Sequence, residues 1–251
     1  MDKNKYLHEI SKKRQVQKKL NDIYIWSTLV SLTFEGIENN QQILEKIKEF
    51  KVPSKIRGKQ VRRKSDDLIE TIHHARSSEI YMALIVFVIS LIEPILLEIA
   101  ELTLLYDNRR LKIKPKGAES KLDYDTIVDC GNYNEVLTTI ISKYTSAVSY
   151  STPKEQLEYL QKILSIKIDE DVWNDWVEIK ATRDLIVHGS GIINDVYLNK
   201  AGDSARGKKG QQIVVDDKYF EKVIVVGKSL IGQIVSQIVK EEKNKIDDSA
   251  N

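Results

Sequence analysis

Cysteine is almost missing from this chain: Cys130 is the only one in 251 residues. A lone thiol can close no intramolecular disulfide and build no cysteine-based zinc site. This fits a reducing compartment, and a cytoplasmic protein is expected. Helix breakers are also scarce, with 11 glycines and 4 prolines, and long stretches of 3.6-residue periodicity accompany that scarcity. Neither charge sign prevails, since 39 Lys and Arg face 37 Asp and Glu for a net charge of +2. That balance argues against gripping nucleic acid over the whole surface and leaves only local basic patches. The opening MDKNKYLHEISKKRQVQKKL has no apolar core, so no secretory signal is expected. The most apolar stretch, Ile80 to Leu105, loses its uncharged character after Ile92, where Glu93, Pro94, Glu98 and Glu101 follow. A membrane span needs roughly 18 apolar residues in a row, so a core helix is expected and no membrane partner.

What is present is enough apolar material for a core, at 41%, and a clear helical pattern. Leu7, Ile10, Leu20, Ile23 and Ile25 recur among lysines and glutamines, and Ile43, Leu44 and Ile47 mark a short helix over Asn40–Phe50. Pro53 and Gly58 then interrupt the basic segment KVPSKIRGKQVRRK. Ser65 with Asp66 and Asp67 opens a helix that runs to about Tyr106, since acids in the first turn oppose the helix dipole. Val136, Leu137, Ile140, Ile141 and Tyr144 predict another helix, and Thr152-Pro153-Lys154-Glu155 is a capping box with proline at the first helical position. The next helix spans Asp169 to His188 and stops at Gly189. Between Gly191 and Val215 a Gly- and Lys-rich loop separates two β-prone runs, which predicts a small hairpin. Asp216 caps the last helix, and the tail KEEKNKIDDSAN is expected to fray. The expected fold is all-α: an N-terminal helical extension (1–64) and a helical domain (65–251), with a β-hairpin near 191–215.

Chemistry concentrates in Trp173 to Gly191. The apolar stripe Val172, Trp176, Ile179 continues to position 183, which is arginine, and then to Ile186. A guanidinium on a core-facing stripe needs a partner or serves a site, because burying it alone costs several kcal/mol. Glu93, alone in an apolar helix, is the candidate partner. Asp184 and His188 lie four apart on one helix face, so the carboxylate can orient the imidazole.

Arg183-Asp184-Leu185-Ile186-Val187-His188 resembles the Arg-x(4–6)-His signature of the HEPN family. Trp176 and Ile179 ahead of it and Gly189, Gly191, Ile193 and Tyr197 behind it agree. The earlier helix from Tyr81 through Glu93 to Glu98 is also similar, and the likeness covers roughly Ser65 to Lys240. Asp184 stands where the family often has asparagine. The resemblance implies a helical bundle that dimerises across a cleft holding two copies of the motif. It further implies a metal-independent endoribonuclease, often a toxin or defence effector with a restraining partner protein, or a silent copy that only binds RNA or a partner. On this reading Arg183, His188 and Asp184 are catalytic and Glu93 supports them. No cofactor and no metal is expected.

Other features point to weaker roles. Lys55, Arg57, Arg62, Arg63 and Lys64 form a run without acidic residues that could meet RNA phosphates, as could Arg206, Lys208 and Lys209 just past the motif. Charge runs are more often solvated loops. His73 and His74 are adjacent and point apart, which disfavours a metal site. Ser190 lacks the leading strand of a nucleophile elbow, and KAGDSARGKKG lacks the spacing of a phosphate-cradling loop.

Overall fold

Helices account for most of the chain in a computed structural model, which describes residues 1–46, 49–118 and 121–247, with backbone alone at 41, 44, 45, 49, 65, 66 and 245–247. Asp2 accepts from the Lys5 amide and starts α1 (Lys3–Lys12), and α2 (Gln15–Glu38) follows after a short turn. Their inner residues Tyr6, Ile10, Leu20 and Ile23 belong to the same apolar core as the rest of the protein, so the segment set apart as an extension packs with the main helices. Beyond Ile23, α2 leaves Ile25, Trp26 and Leu29 exposed.

After α3 (Gln41–Lys46) comes a two-stranded antiparallel sheet, β1 (Glu49–Pro53) and β2 (Gln60–Lys64). Its register pairs Phe50 with Arg63 and Val52 with Val61. Proline breaks a helix, Gly58 supplies the left-handed turn (φ +76°), and Val52 and Val61 favour extended backbone. Ile47, assigned above to a helix, lies outside the described residues.

The strand leads into α4 (Ser65–His74), a π-turn at Ala75–Glu79, and α5 (Ile80–Tyr106), which together form the expected helix. The side chains of Ser65 and Asp66, read as its start, are outside the described set. One face of α5 carries Ile85, Val88, Ile89, Ile92, Leu96 and Ile99 into the core. The helical stretches Asp67–Tyr106 and Asp217–Asn244 are each long and apolar enough to cross a membrane by length and composition. The uncharged run ends at Ile92 as read, but an 18-residue window tolerates Glu93, so length and composition alone do not set this helix apart from a span. About a third of the first apolar window and half of the second are buried inside the protein.

A 3-10 turn (Asn108–Lys112) and the short α6 (Tyr124–Asp129) connect to α7 (Tyr133–Tyr150). Next, α8 (Pro153–Leu164) begins with the complete capping box of Thr152 and Glu155. Asp169 accepts from the Asp171 and Val172 amides and starts α9 (Glu170–Gly189). The hairpin expected at 191–215 is instead α10 (Asp195–Ala201), with a single bridge between Ile192 and Gln212. The reason is local: Asn194 accepts from the Tyr197 amide and starts a helical turn where the β-prone residues alone suggested a strand. Asp216 accepts from the Tyr219 amide ahead of α11 (Asp217–Asp247). That helix reaches Asp247, so part of the tail expected to fray is helical. Tyr6 stacks on Tyr106 with ring centres 4.2 Å apart, and Tyr106 donates to Glu242 at 3.1 Å, tying α1, α5 and α11 together.

Gly227 faces α5 and α2 without room for a side chain: a Cβ there would lie 2.5 Å from Ile92 Cδ1 and 3.4 Å from Leu20 Cδ1. Ile92 is fully buried and has little room to yield. Gly227→Val is therefore expected to destabilise the protein by about 1–3 kcal/mol through overpacking, measured by urea unfolding; an unchanged midpoint would contradict this packing. A second expectation concerns acid. Lys116 first, then the amide and hydroxyl of Thr152, hold the Glu155 carboxyl down at about 2, below its ordinary 4.5. The box is thus complete above pH 4.5 and is lost as pH falls toward 2. Protection of the amides at the start of α8, taken against their intrinsic exchange rate at each pH, should fall over that window, and protection that does not change with pH would refute the assignment.

Candidate functional site at the end of α9

Helix α9 is buried on most sides, with Trp173, Trp176, Ile179, Ala181 and Leu185 in the core. It ends where the Ser190 and Gly191 amides both turn back to the Leu185 carbonyl, a Schellman-type closure. Ser190 (φ +50°) and Gly191 (φ +76°) are both left-handed, one residue beyond the expected stop. Side chains in the last two turns therefore face three ways at an open helix end.

Arg183 faces α5. Its Nη2 donates to Glu93 Oε2 at 2.9 Å, and Lys180 Nζ reaches the other carboxylate oxygen at 2.8 Å. The contact anticipated between Glu93 and Arg183 is thus present, with Lys180 as an unanticipated third member. Arg183 Nε lies 3.3 Å from Asp184 Oδ1, but it is buried and off the line of a hydrogen bond. Asp184 is further held by Lys200 of α10, Nζ to Oδ2 at 2.9 Å. Lys180, Glu93, Arg183, Asp184 and Lys200 form one chain of alternating charge that runs around α9.

His188 is exposed and, among the described residues, has no hydrogen-bond partner. It borders a groove of about 360 Å³ with Asp184, Asn194, Val196, Tyr197 and Lys200. Five residues at about 100° each separate Arg183 and His188 by about 140° around the helix, so within one chain they address different surfaces. Asp184 does not bond the imidazole; Lys200 holds its carboxylate, which lies against Arg183.

One turn deeper sits a buried carboxylate that sequence reasoning missed. Glu178 is fully buried. Its Oε1 accepts from Thr182 Oγ1 (2.7 Å), Tyr197 Oη (2.8 Å) and Arg206 Nε (2.9 Å), and its Oε2 accepts from Tyr219 Oη (2.8 Å). Arg206 also donates to Thr182 Oγ1 and the Val214 carbonyl, and its guanidinium lies over the Tyr219 ring at 3.4 Å. Burial, and next the charge of Glu178, pushes the Tyr219 phenol well above its ordinary 10, and burial also raises the Tyr197 phenol. Both hydroxyls therefore remain donors. Burial works against the charge on Arg206, but Tyr219, Glu178 and Tyr197 outweigh it and the guanidinium holds its proton more firmly. Arg206, expected as an RNA contact, thus spends its donors inside the protein. The one available signal was Thr182, four residues after Glu178 and so on the same helix face.

The remaining expected residues are dispersed. Lys55 and Arg57 lie in the turn of the β1–β2 hairpin, and Arg62, Arg63 and Lys64 lie on β2, exposed. Arg63 Nε is 3.2 Å from Asp67 Oδ2. Lys208 is exposed, and Lys209 pairs with Asp195 at the start of α10. No group of three or more His, Cys, Asp or Glu among the described residues is arranged to hold a metal ion. No protein-family model, curated protein or solved structure matches the chain.

Removing one side of a buried ion pair strands the other, which costs about 3–5 kcal/mol. Glu178→Ala should lower the unfolding free energy by that amount in urea titration. A loss below about 1 kcal/mol, the worth of an exposed pair, would show that the carboxylate is not what fastens this region.

Proposed function

We propose that the chain is a soluble, cytoplasmic, metal-independent endoribonuclease of the HEPN type, acting as a homodimer. The observation that carries this reading is His188, exposed on a groove at the end of α9 and unbonded by any described residue, five residues after a half-buried Arg183. An imidazole free of internal partners is available to move a proton. A guanidinium anchored on one side by Glu93, with Nη1 making no hydrogen bond among the described residues, can direct its remaining donors to a phosphate.

The reaction is transesterification within the RNA. The 2′-oxygen attacks the adjacent phosphorus as one imidazole accepts its proton, the bond from phosphorus to the 5′-oxygen breaks, and the leaving oxygen takes a proton from a second imidazole. Arg183 stabilises the added charge on the phosphorane. Each chain offers one His188, so the second comes from the partner copy. The roughly 140° between Arg183 and His188 on one helix favours such a shared site. Val187, exposed one turn after Arg183, and exposed Ile192 give the facing surface apolar contact. Lys208 and Lys209, beyond the motif, would meet the RNA backbone, with the hairpin cations Lys55, Arg57, Arg62, Arg63 and Lys64 as a further contact. A toxin or phage-defence role, with a protein that restrains the enzyme, follows from the family resemblance.

The second reading is a silent HEPN module that binds RNA or a partner protein. One observation favours it: Arg183 is already neutralised by Glu93 and lies against Asp184. The experiment compares the wild type and His188→Ala on total RNA in EDTA. The nuclease reading expects fragments ending in 2′,3′-cyclic phosphate and 5′-hydroxyl, reduced about 100-fold or more by the substitution. RNA binding without cleavage would favour the silent module, and equal cleavage by both proteins, or cleavage of DNA, would contradict the proposed chemistry.

A further inference from the structure

A second concentration of charge lies in the connection from α5 to α7, away from the residues invoked for RNA cleavage. Lys112 at the end of the 3-10 turn, Lys114 and Lys121 in the following loop, and Lys143 on α7 converge on one pocket of about 290 Å³. Leu111 and Ile140 contribute an apolar wall, and no carboxylate lines the pocket among the described residues. Neighbouring cations are engaged elsewhere: Arg109 and Arg110 by Asp107, and Lys116 by Glu155. The four pocket lysines, in contrast, have no hydrogen-bond or ion-pair partner among the described residues.

Lys112, Lys114 and Lys121 are exposed and Lys143 is half-buried, so four residues of like charge border one volume. Half-buried Arg183, Lys180 and Arg206 are each paired with a carboxylate, whereas half-buried Lys143 has no partner among the described residues. A ligand that brings several negative charges within a few ångströms is the chemistry that completes the arrangement. Lysine is a compact point charge with three rotatable donors, suited to phosphate oxygens spread over more than one phosphorus. The apolar wall leaves room for a planar or aliphatic portion of the same molecule.

We propose that this pocket binds an oligophosphate, either inorganic or carried by a nucleoside. The site is independent of the nuclease reading, and its test uses no RNA. Full-length protein is titrated calorimetrically with tripolyphosphate and with ATP, without divalent cations, at two salt concentrations. Saturable one-to-one binding that weakens with salt is expected. Lys112→Gln with Lys143→Gln should weaken it at least about tenfold, since each charge-assisted contact is worth that order. Lys116→Gln, whose partner is Glu155, should leave it unchanged. Tighter binding of ATP would place a nucleoside on Leu111 and Ile140, and equal binding would assign recognition to the phosphates alone. Absence of binding by both probes, or binding that the double substitution leaves intact in protein with wild-type circular dichroism, overturns the proposal.

Discussion

A carboxylate with no access to water, Glu178, governs the geometry of this end of the molecule. Burying a lone charge costs several kcal/mol, and Glu178 offsets that cost with four donors drawn from four parts of the chain. Thr182 is on its own helix, Tyr197 on α10, Arg206 on the following loop and Tyr219 on α11. The segment from Gly191 to Val215 has little regular structure, and this carboxylate fastens it at two points. Moving any of the donors away would leave a polar group unsatisfied in a low-dielectric interior. The arrangement therefore specifies one docking position for α10.

Docking of α10 has direct consequences one turn later on α9. It carries Lys200 to Asp184 and puts Val196 and Tyr197 on the wall of the groove beside His188. With Asp184 held by Lys200, the alternating charges from Lys180 to Lys200 close into a continuous belt. The belt holds Arg183 on one surface of the helix while His188 opens on another. A helix end that divides Arg183 from His188 in this way suits the proposed site shared between copies. The link from Glu178 to that chemistry is positional: it touches neither the imidazole nor the guanidinium that would meet a phosphate.

Much of the helical architecture was legible because it is written locally. Thr152 to Glu155 forms its capping box as read, Asp169 and Asp216 start their helices, and the run from Ser65 to Tyr106 is helical throughout. The Glu93–Arg183 contact was legible for a different reason: two charges on apolar stripes each demand a partner, and few were available. What escaped depends on contacts distant in sequence or on competing local signals. The strands β1 and β2 lie in a basic segment whose charges masked its alternation. At 194–201 the Asn194 cap outweighed β-propensity, which is a weak and context-dependent preference. Glu178 was hard to read because all its donors except Thr182 lie 19 to 41 residues away, and an acidic residue in a helix ordinarily faces solvent. Asp184 was assigned to His188 by helix spacing, yet Lys200 arrives from another element and takes the carboxylate.

The central claim is that Glu178 and Arg206 are energetically coupled and that this coupling fixes the wall of the His188 groove. A double-mutant cycle of unfolding free energies with Glu178→Gln, Arg206→Met and both together measures it most directly. The account predicts a favourable coupling of about 1–3 kcal/mol, the range for residues in one buried network. Single losses that simply add, to within about 0.5 kcal/mol, would contradict it.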